Sequence, residues 1–108
     1  MRDPRASNPR HRITIQYAVP DDPEAFDAHY RDVHVPLVAP IPGLRRFTTS
    51  RPRGLGGAAP YFVAELWFDD GDALKAALRS PEMAAAGADA EGLGVPMTMF
   101  SGEVVEAR

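Results

Sequence analysis

The sequence predicts an α+β domain in which four antiparallel strands and two helical segments follow the order β-α-β-β-α-β. Three observations predict it. Residues 12–18 alternate with the period of a half-buried strand, with Ile13, Ile15 and Tyr17 on one side and Thr14, Gln16 and Ala18 on the other. Two segments, Asp22-Pro23-Glu24 and Ser80-Pro81-Glu82, carry a capping side chain, a proline and an acid in the order that opens a helix. Residues 61–68 (YFVAELWF) are apolar on both alternating faces except at Glu65, as in a strand covered from both sides. This order is the split βαβ, ferredoxin-like motif with a four-stranded antiparallel sheet.

Residues 1–11 hold three arginines, two prolines and no large apolar side chain after Met1, so their burial cannot offset the entropy of ordering them. They are expected to form a disordered tail ahead of a single domain over residues 12–108. After the first strand, the helix opening at Pro23 carries Phe26, Tyr30, Val33 and Leu37 on one stripe, and Pro36 should end its regular part near residue 35. Asp27 and Arg31 form an i, i+4 pair on the wet side. Pro40, Pro42 and Gly43 mark a turn, and residues 44–51 read as a second strand with Phe47 inward and Arg45, Arg46 and Arg51 at the rim. A Gly-rich connection over 53–60 leads into the strand at 61–68. Asp70 caps a helix bearing Leu74, Ala77 and Leu78, the Ser80 start adds an Ala-rich extension that Gly92 and Gly94 end, and residues 97–105 form the last strand.

With 108 residues, 44% of them hydrophobic, the chain can build one core and not two. So short a domain leaves apolar surface uncovered, and the doubly apolar strand at 61–68 calls for a second copy to cover it, which predicts a homodimer. A net charge of −3 with acids and bases intermixed leaves no extended basic surface, so no nucleic-acid partner is expected. Residues 13–19 are too short for a membrane span or a signal-peptide core, which points to a soluble, cytoplasmic protein with no membrane partner. The absence of cysteine removes disulfides, thiolate metal sites, iron–sulfur clusters and cysteine nucleophiles. Gly54, Gly56 and Gly57 belong to no phosphate-binding pattern, and no GxSxG, HExxH or kinase signature is present, so no cofactor is expected.

Chemistry centres on His34. It follows Tyr30 by four residues at a helix end, where an imidazole and a phenol can converge on one side of a cavity and exchange protons near neutral pH. The alternative is that His34 only bonds the last helical carbonyls. His29 and His34 are spaced i, i+5, which in an α-helix turns them roughly 140° apart, so no metal site is expected and His29 reads as a surface residue. Glu65, alone in an apolar strand, is a candidate base or ligand contact, or else the partner of a basic side chain across the sheet or at an interface. Tyr17, Phe26 and Trp67 complete the expected ligand-contacting set, with Tyr61, Met97 and Met99 as further apolar candidates. The same side chains also suit an ordinary core.

Two stretches together resemble the EthD family, named for its association with ethyl tert-butyl ether degradation. Residues 26–51 (FDAHYRDVHVPLVAPIPGLRRFTTSR) are similar to that family's Tyr-x-x-x-His-x-Pro-Leu helix end, followed by Pro-Gly-Leu and a basic strand. Residues 64–89 (AELWFDDGDALKAALRSPEMAAAGAD) resemble its strand, Phe-Asp turn, helix, Ser-Pro-Glu and later Asp. The resemblance spans about residues 12–105. It implies a ferredoxin-like monomer that pairs its sheet with another copy to form a dimeric α+β barrel. It also implies a functional Tyr30 and His34, with Pro36, Leu37, Pro42, Gly43 and Leu44 shaping the adjoining turn. The implied activity is binding of a small apolar or aromatic catabolite linked to ether or xenobiotic degradation, with cofactor-independent acid–base or monooxygenase-type (oxidoreductase) chemistry. The alternatives are a non-catalytic accessory or ligand-binding dimer, and a polyketide cyclase- or isomerase-like enzyme, between which fold analogy cannot choose.

Overall fold

A computed structural model describes residues 9–108. Its elements are β1 (His11–Tyr17), α1 (Pro23–His29), a π turn (Tyr30–His34), α2 (Val35–Val38), β2 (Arg46–Ser50), β3 (Phe62–Phe68), α3 (Gly71–Leu78), α4 (Pro81–Gly92) and β4 (Met97–Glu103). The strands form one antiparallel sheet in the order β2-β3-β1-β4, the ferredoxin-like arrangement that the element order predicts. The first strand begins one residue earlier than expected, since His11 already pairs with Phe68 and Glu103. Of the tail expected over 1–11, residues 1–8 lie outside the described part of the chain. Among the described residues no helix is long and apolar enough to cross a membrane.

Register decides what each face of the sheet presents. Ile13 stands opposite Leu66, Ile15 opposite Ala64 and Tyr17 opposite Phe62, so these residues share the face on which the helices pack. All of them except the half-buried Ile15 are buried. Phe26 and Tyr30 meet that face edge-on, their ring centroids 5.3 and 5.9 Å from Tyr17, an arrangement worth about 0.5–1.5 kcal/mol per pair beyond area burial. Phe47 falls opposite Leu66 on the same face, inward as its position in β2 predicts. The other face carries Arg12, Thr14, Val63, Glu65, Trp67, Arg46 and Phe100.

The first helical segment departs most from expectation. The predicted stripe was Phe26, Tyr30, Val33 and Leu37; the buried positions are Phe26, Tyr30, His34 and Val38, while Val33 is 42% exposed. The cause is the π turn, in which the Val35 N–H bonds the Tyr30 carbonyl five residues back rather than four. One residue is thereby accommodated without a break, and the inward stripe moves on by one. The shift comes just ahead of Pro36, which has no N–H to give to the α-helical ladder, so the helix continues through α2 instead of ending near residue 35. The expected Asp27–Arg31 pair is not formed either. Asp27 accepts from Arg51 at 2.8 Å and from the Tyr61 hydroxyl at 3.0 Å, residues that directly follow β2 and precede β3, and Arg31 turns to Asp32.

The remaining elements start where their caps are. The Asp70 carboxylate accepts from the Ala73 N–H, and the Ser80 hydroxyl accepts from the Met83 N–H, satisfying amides at the first turns of α3 and α4. Gly43 has φ +79°, a left-handed conformation that closes the turn before β2.

Candidate functional site

His34 owes its position to the π turn. At the end of that turn its side chain faces inward, 6% exposed, with its ring centroid 4.8 Å from that of Tyr30. The convergence of phenol and imidazole expected from their spacing is present. What the spacing could not reveal is the third partner. Asp89, on α4 and 55 residues further along, stands 2.9 Å from His34 Nδ1 through its Oδ2. Its Oδ1 stands 2.9 Å from Nε2 of His29. One carboxylate thus joins two imidazoles.

His29, read from the sequence as a surface residue, is 39% exposed and is tied to His34 through Asp89. An α-helix would turn positions i and i+5 apart, but a turn closed by i→i+5 hydrogen bonds brings them to the same side. The resulting cluster is graded in exposure, with side chains of His29, Asp89 and His34 at 39%, 16% and 6%. Partial burial alone would raise the Asp89 pKa; hydrogen bonds from His29 and His34 outweigh it and hold the carboxyl below its ordinary value. Asp89 is therefore ionised at neutral pH and can only accept. For the 2.9 Å contact to be a hydrogen bond, His34 Nδ1 must carry the proton, which leaves Nε2 with its lone pair when the ring is neutral.

His34 borders a cavity of about 130 Å³ between the helices and the sheet. Tyr17 and Ile15 from β1, Leu66 from β3, Ala86 and Ala90 from α4, and Met97 and Met99 from β4 supply an almost wholly apolar wall, with Tyr30 beside His34. Of the apolar candidates named from the sequence, Tyr17, Met97 and Met99 border this cavity. Burial is the main cause that raises the phenols of Tyr17 and Tyr30, the former to about 12 and the latter further still. The charge of Asp89 adds to the effect at Tyr17. Both phenols keep their protons at neutral pH, so in this cavity they can donate hydrogen bonds but cannot serve as bases. Two larger clefts are open and more polar, one of about 450 Å³ along Asp27, Arg31 and Arg51 and one of about 380 Å³ beside Asp21, Asp22 and His29.

Four of the candidate contacts fall elsewhere. Glu65 and Trp67 alternate with Ala64 and Leu66, so they occupy the opposite face of the sheet and cannot reach the His34 cavity. Glu65 is held by Arg12 at 3.2 Å, the cross-strand pairing foreseen as its alternative. Trp67 lies between the guanidinium groups of Arg12 and Arg46, 5.4 and 5.3 Å from its ring. Its Nε1 is the one buried side-chain polar atom among the described residues without a hydrogen-bond partner. Phe26 packs against Tyr17, Tyr30, Tyr61 and Phe62 as core and does not border the cavity. Tyr61 is taken up by Asp27. Among the described residues no group of three histidine, aspartate or glutamate side chains is arranged to hold a metal ion.

The arrangement can be set beside known proteins. Residues 20–93 match the model of the EthD domain. An uncharacterised 11.0 kDa protein from the thcB-thcC intergenic region of Rhodococcus erythropolis is 40% identical over 100 residues, which cover 88% of this chain and 97% of that one. The crystal structure of an ethyl tert-butyl ether degradation (EthD) family protein from Bacillus halodurans superposes with a TM-score of 0.81 at 34% identity, covering 89% of this chain and 99% of that one. A cofactor-independent oxygenase from Streptomyces nogalater, SnoaB, superposes with a TM-score of 0.63 over 94% and 96% of the two chains. At 19% identity it attests the shared fold alone.

Proposed function

The chain belongs to the EthD family, and from that premise we propose that it binds a small apolar organic molecule beside His34 and acts on it by cofactor-independent acid–base chemistry. The observation that carries this reading is the orientation of His34: Nδ1 is fixed on an ionised carboxylate while the ring borders an apolar cavity. A base so held has its tautomer and direction set in advance, which is what a positioned proton acceptor requires. Nε2 takes a proton from a C–H or O–H acid in the cavity, and the imidazolium formed is stabilised by Asp89. Tyr30 and Tyr17, kept protonated by burial, donate to the oxygen on which charge develops. The same abstraction serves isomerisation, cyclisation or reaction of the resulting carbanion with dioxygen, and analysis of the product distinguishes them.

The size of the cavity narrows the ligand. An apolar cavity of about 150 Å³ accommodates benzene, so about 130 Å³ takes one ring or a compact branched group. This fits a small ether or aromatic catabolite of the kind the family's association suggests, in the cytoplasm. Residues 12–108 act as a single domain in this reading, and two copies pack their open sheet faces together. The exposed Phe100, on the same open face as the half-buried Trp67, supports that pairing. Related folds from Thermobifida fusca and Bacteroides fragilis, at 18% and 17% identity, are described as dimeric.

The test is a thermal-shift screen of small ethers and aromatics on the wild type and His34→Ala in parallel. A ligand at 100 times its Kd adds about 2.7 kcal/mol of stability. A compound that stabilises the wild type and not a folded His34→Ala variant supports the site, and turnover assays follow on that compound. Equal responses in both proteins would remove His34 from it.

A further inference from the structure

His29 plays no part in the reading above, yet it shares a carboxylate with the proposed base. We propose that His29 is a positioning residue that couples the charge state of His34 to solvent, through Asp89. The inference rests on His34 being the reacting group for its use, but not for its test.

Three observations carry it. The first is connectivity: His29 Nε2 stands 2.9 Å from Oδ1 and 3.1 Å from Oδ2 of Asp89, and His34 Nδ1 stands 2.9 Å from Oδ2, so the chain of groups is continuous. The second is direction. The exposure of the three side chains falls from 39% to 16% to 6%, so the cluster runs from the surface to the wall of the cavity. The third is the backbone. The π turn places residues 29 and 34 on one side, and such turns recur at functional sites. A surface histidine with no role in the cluster would not need it.

The chemistry is balanced without a further reactant. When His34 Nε2 accepts a proton from a bound ligand, the imidazolium keeps its Nδ1–H on Asp89 Oδ2 and the carboxylate stays ionised. Where His29 stands protonated beforehand, its Nε2–H stays on Asp89 while its Nδ1 proton goes to water, so the cluster returns to its starting charge. The reverse sequence resets it as His34 delivers its proton to the product. The groups that face Asp89 are His29 at the end of α1, His34 at the end of the π turn and Tyr17 from β1. Tyr17 stays protonated throughout the neutral range, so the two imidazoles alone compete for the carboxylate. Protonating one weakens the hold of Asp89 on the other, because both rings share one carboxylate.

The experiment is a pH titration of ligand-free protein labelled with 15N at histidine, followed through the ring nitrogens. The proteins are wild type, His29→Gln and His29→Phe, with His11→Gln used to assign the third imidazole. In the wild type the signals of His29 and His34 should each show both steps of a coupled titration. In both His29 variants the His34 signals should follow a single step, with the midpoint moved to higher pH because Asp89 then serves one imidazole. If His34 titrates identically in the wild type and in folded His29 variants, the coupling is overturned. Since His29 is partly exposed, these variants retain the core, and a near-ultraviolet dichroism spectrum checks that they do. The outcome is independent of the ligand screen. Loss of ligand response in His34→Ala with no titration change on replacing His29 would leave the site standing and remove the relay, and the converse would do the opposite.

Discussion

Asp89 is the residue on which the local arrangement turns. Its carboxyl is held below the ordinary value of 3.8 by two imidazoles, despite the burial that opposes this. A group whose pKa is lower in the folded chain than in the unfolded one stabilises fully above the unfolded value and loses that contribution as pH falls through the folded one. The stability difference between wild type and Asp89→Asn should therefore be largest above about pH 4 and shrink in stronger acid. Its size near neutrality should be about 1–3 kcal/mol, because the Asn amide keeps one neutral acceptor oxygen for two imidazole N–H groups and turns its NH2 toward the other. Denaturant unfolding of both proteins across the acid range checks it, and a difference that grows in acid would contradict the assignment. Asp89 was visible in the sequence only as the last residue of the second family-like stretch; nothing in its local pattern ties an acid on α4 to a histidine 55 positions earlier.

At the scale of elements, the strands and the helix starts were legible because each is fixed locally. Alternation sets the faces of β1 and β3, and Asp22, Asp70 and Ser80 cap the helices they were expected to cap. The π turn was not legible. Its cost and benefit depend on contacts with the sheet and α4, and the sequence pattern offered an equally good α-helical stripe through Val33. That stripe misplaced Val33, which is exposed, and gave no sign that His29 and His34 share a partner. Glu65 and Trp67 were misassigned for a different reason: the period of two puts them together, but which face the helices cover depends on the whole sheet. Helix α4 offers a test of its own. Gly87 sits in mid-helix, and a Cβ there would meet no atom within 4 Å. Gly87→Ala should stabilise the fold by about 1 kcal/mol through helix propensity, seen as a rise in Tm; a fall would mean that the added methyl meets a neighbour.

At the scale of the whole molecule, the two faces of the sheet have separate occupations. One faces the helices and the His34 cavity, and the other keeps Trp67, Phe100 and the Arg12–Glu65 pair on an open surface. In the proposed homodimer that surface is the contact. Trp67→Glu should then give a particle of single-chain mass in sedimentation at micromolar concentration where the wild type sediments at twice that mass, with the helix-side core intact. Equal masses for the two proteins would count against the sheet face as the contact.

The placement of Trp67 also determines what light can report. It is the only tryptophan of the chain, and the backbone of β3 separates its indole from the cavity that His34 borders. In the proposed homodimer its emission is a gauge of subunit separation, expected to shift to longer wavelength on dilution as water reaches the ring between Arg12 and Arg46. A molecule entering beside His34 should leave that emission almost untouched, so an optical titration at this wavelength would mistake a fully occupied protein for an empty one.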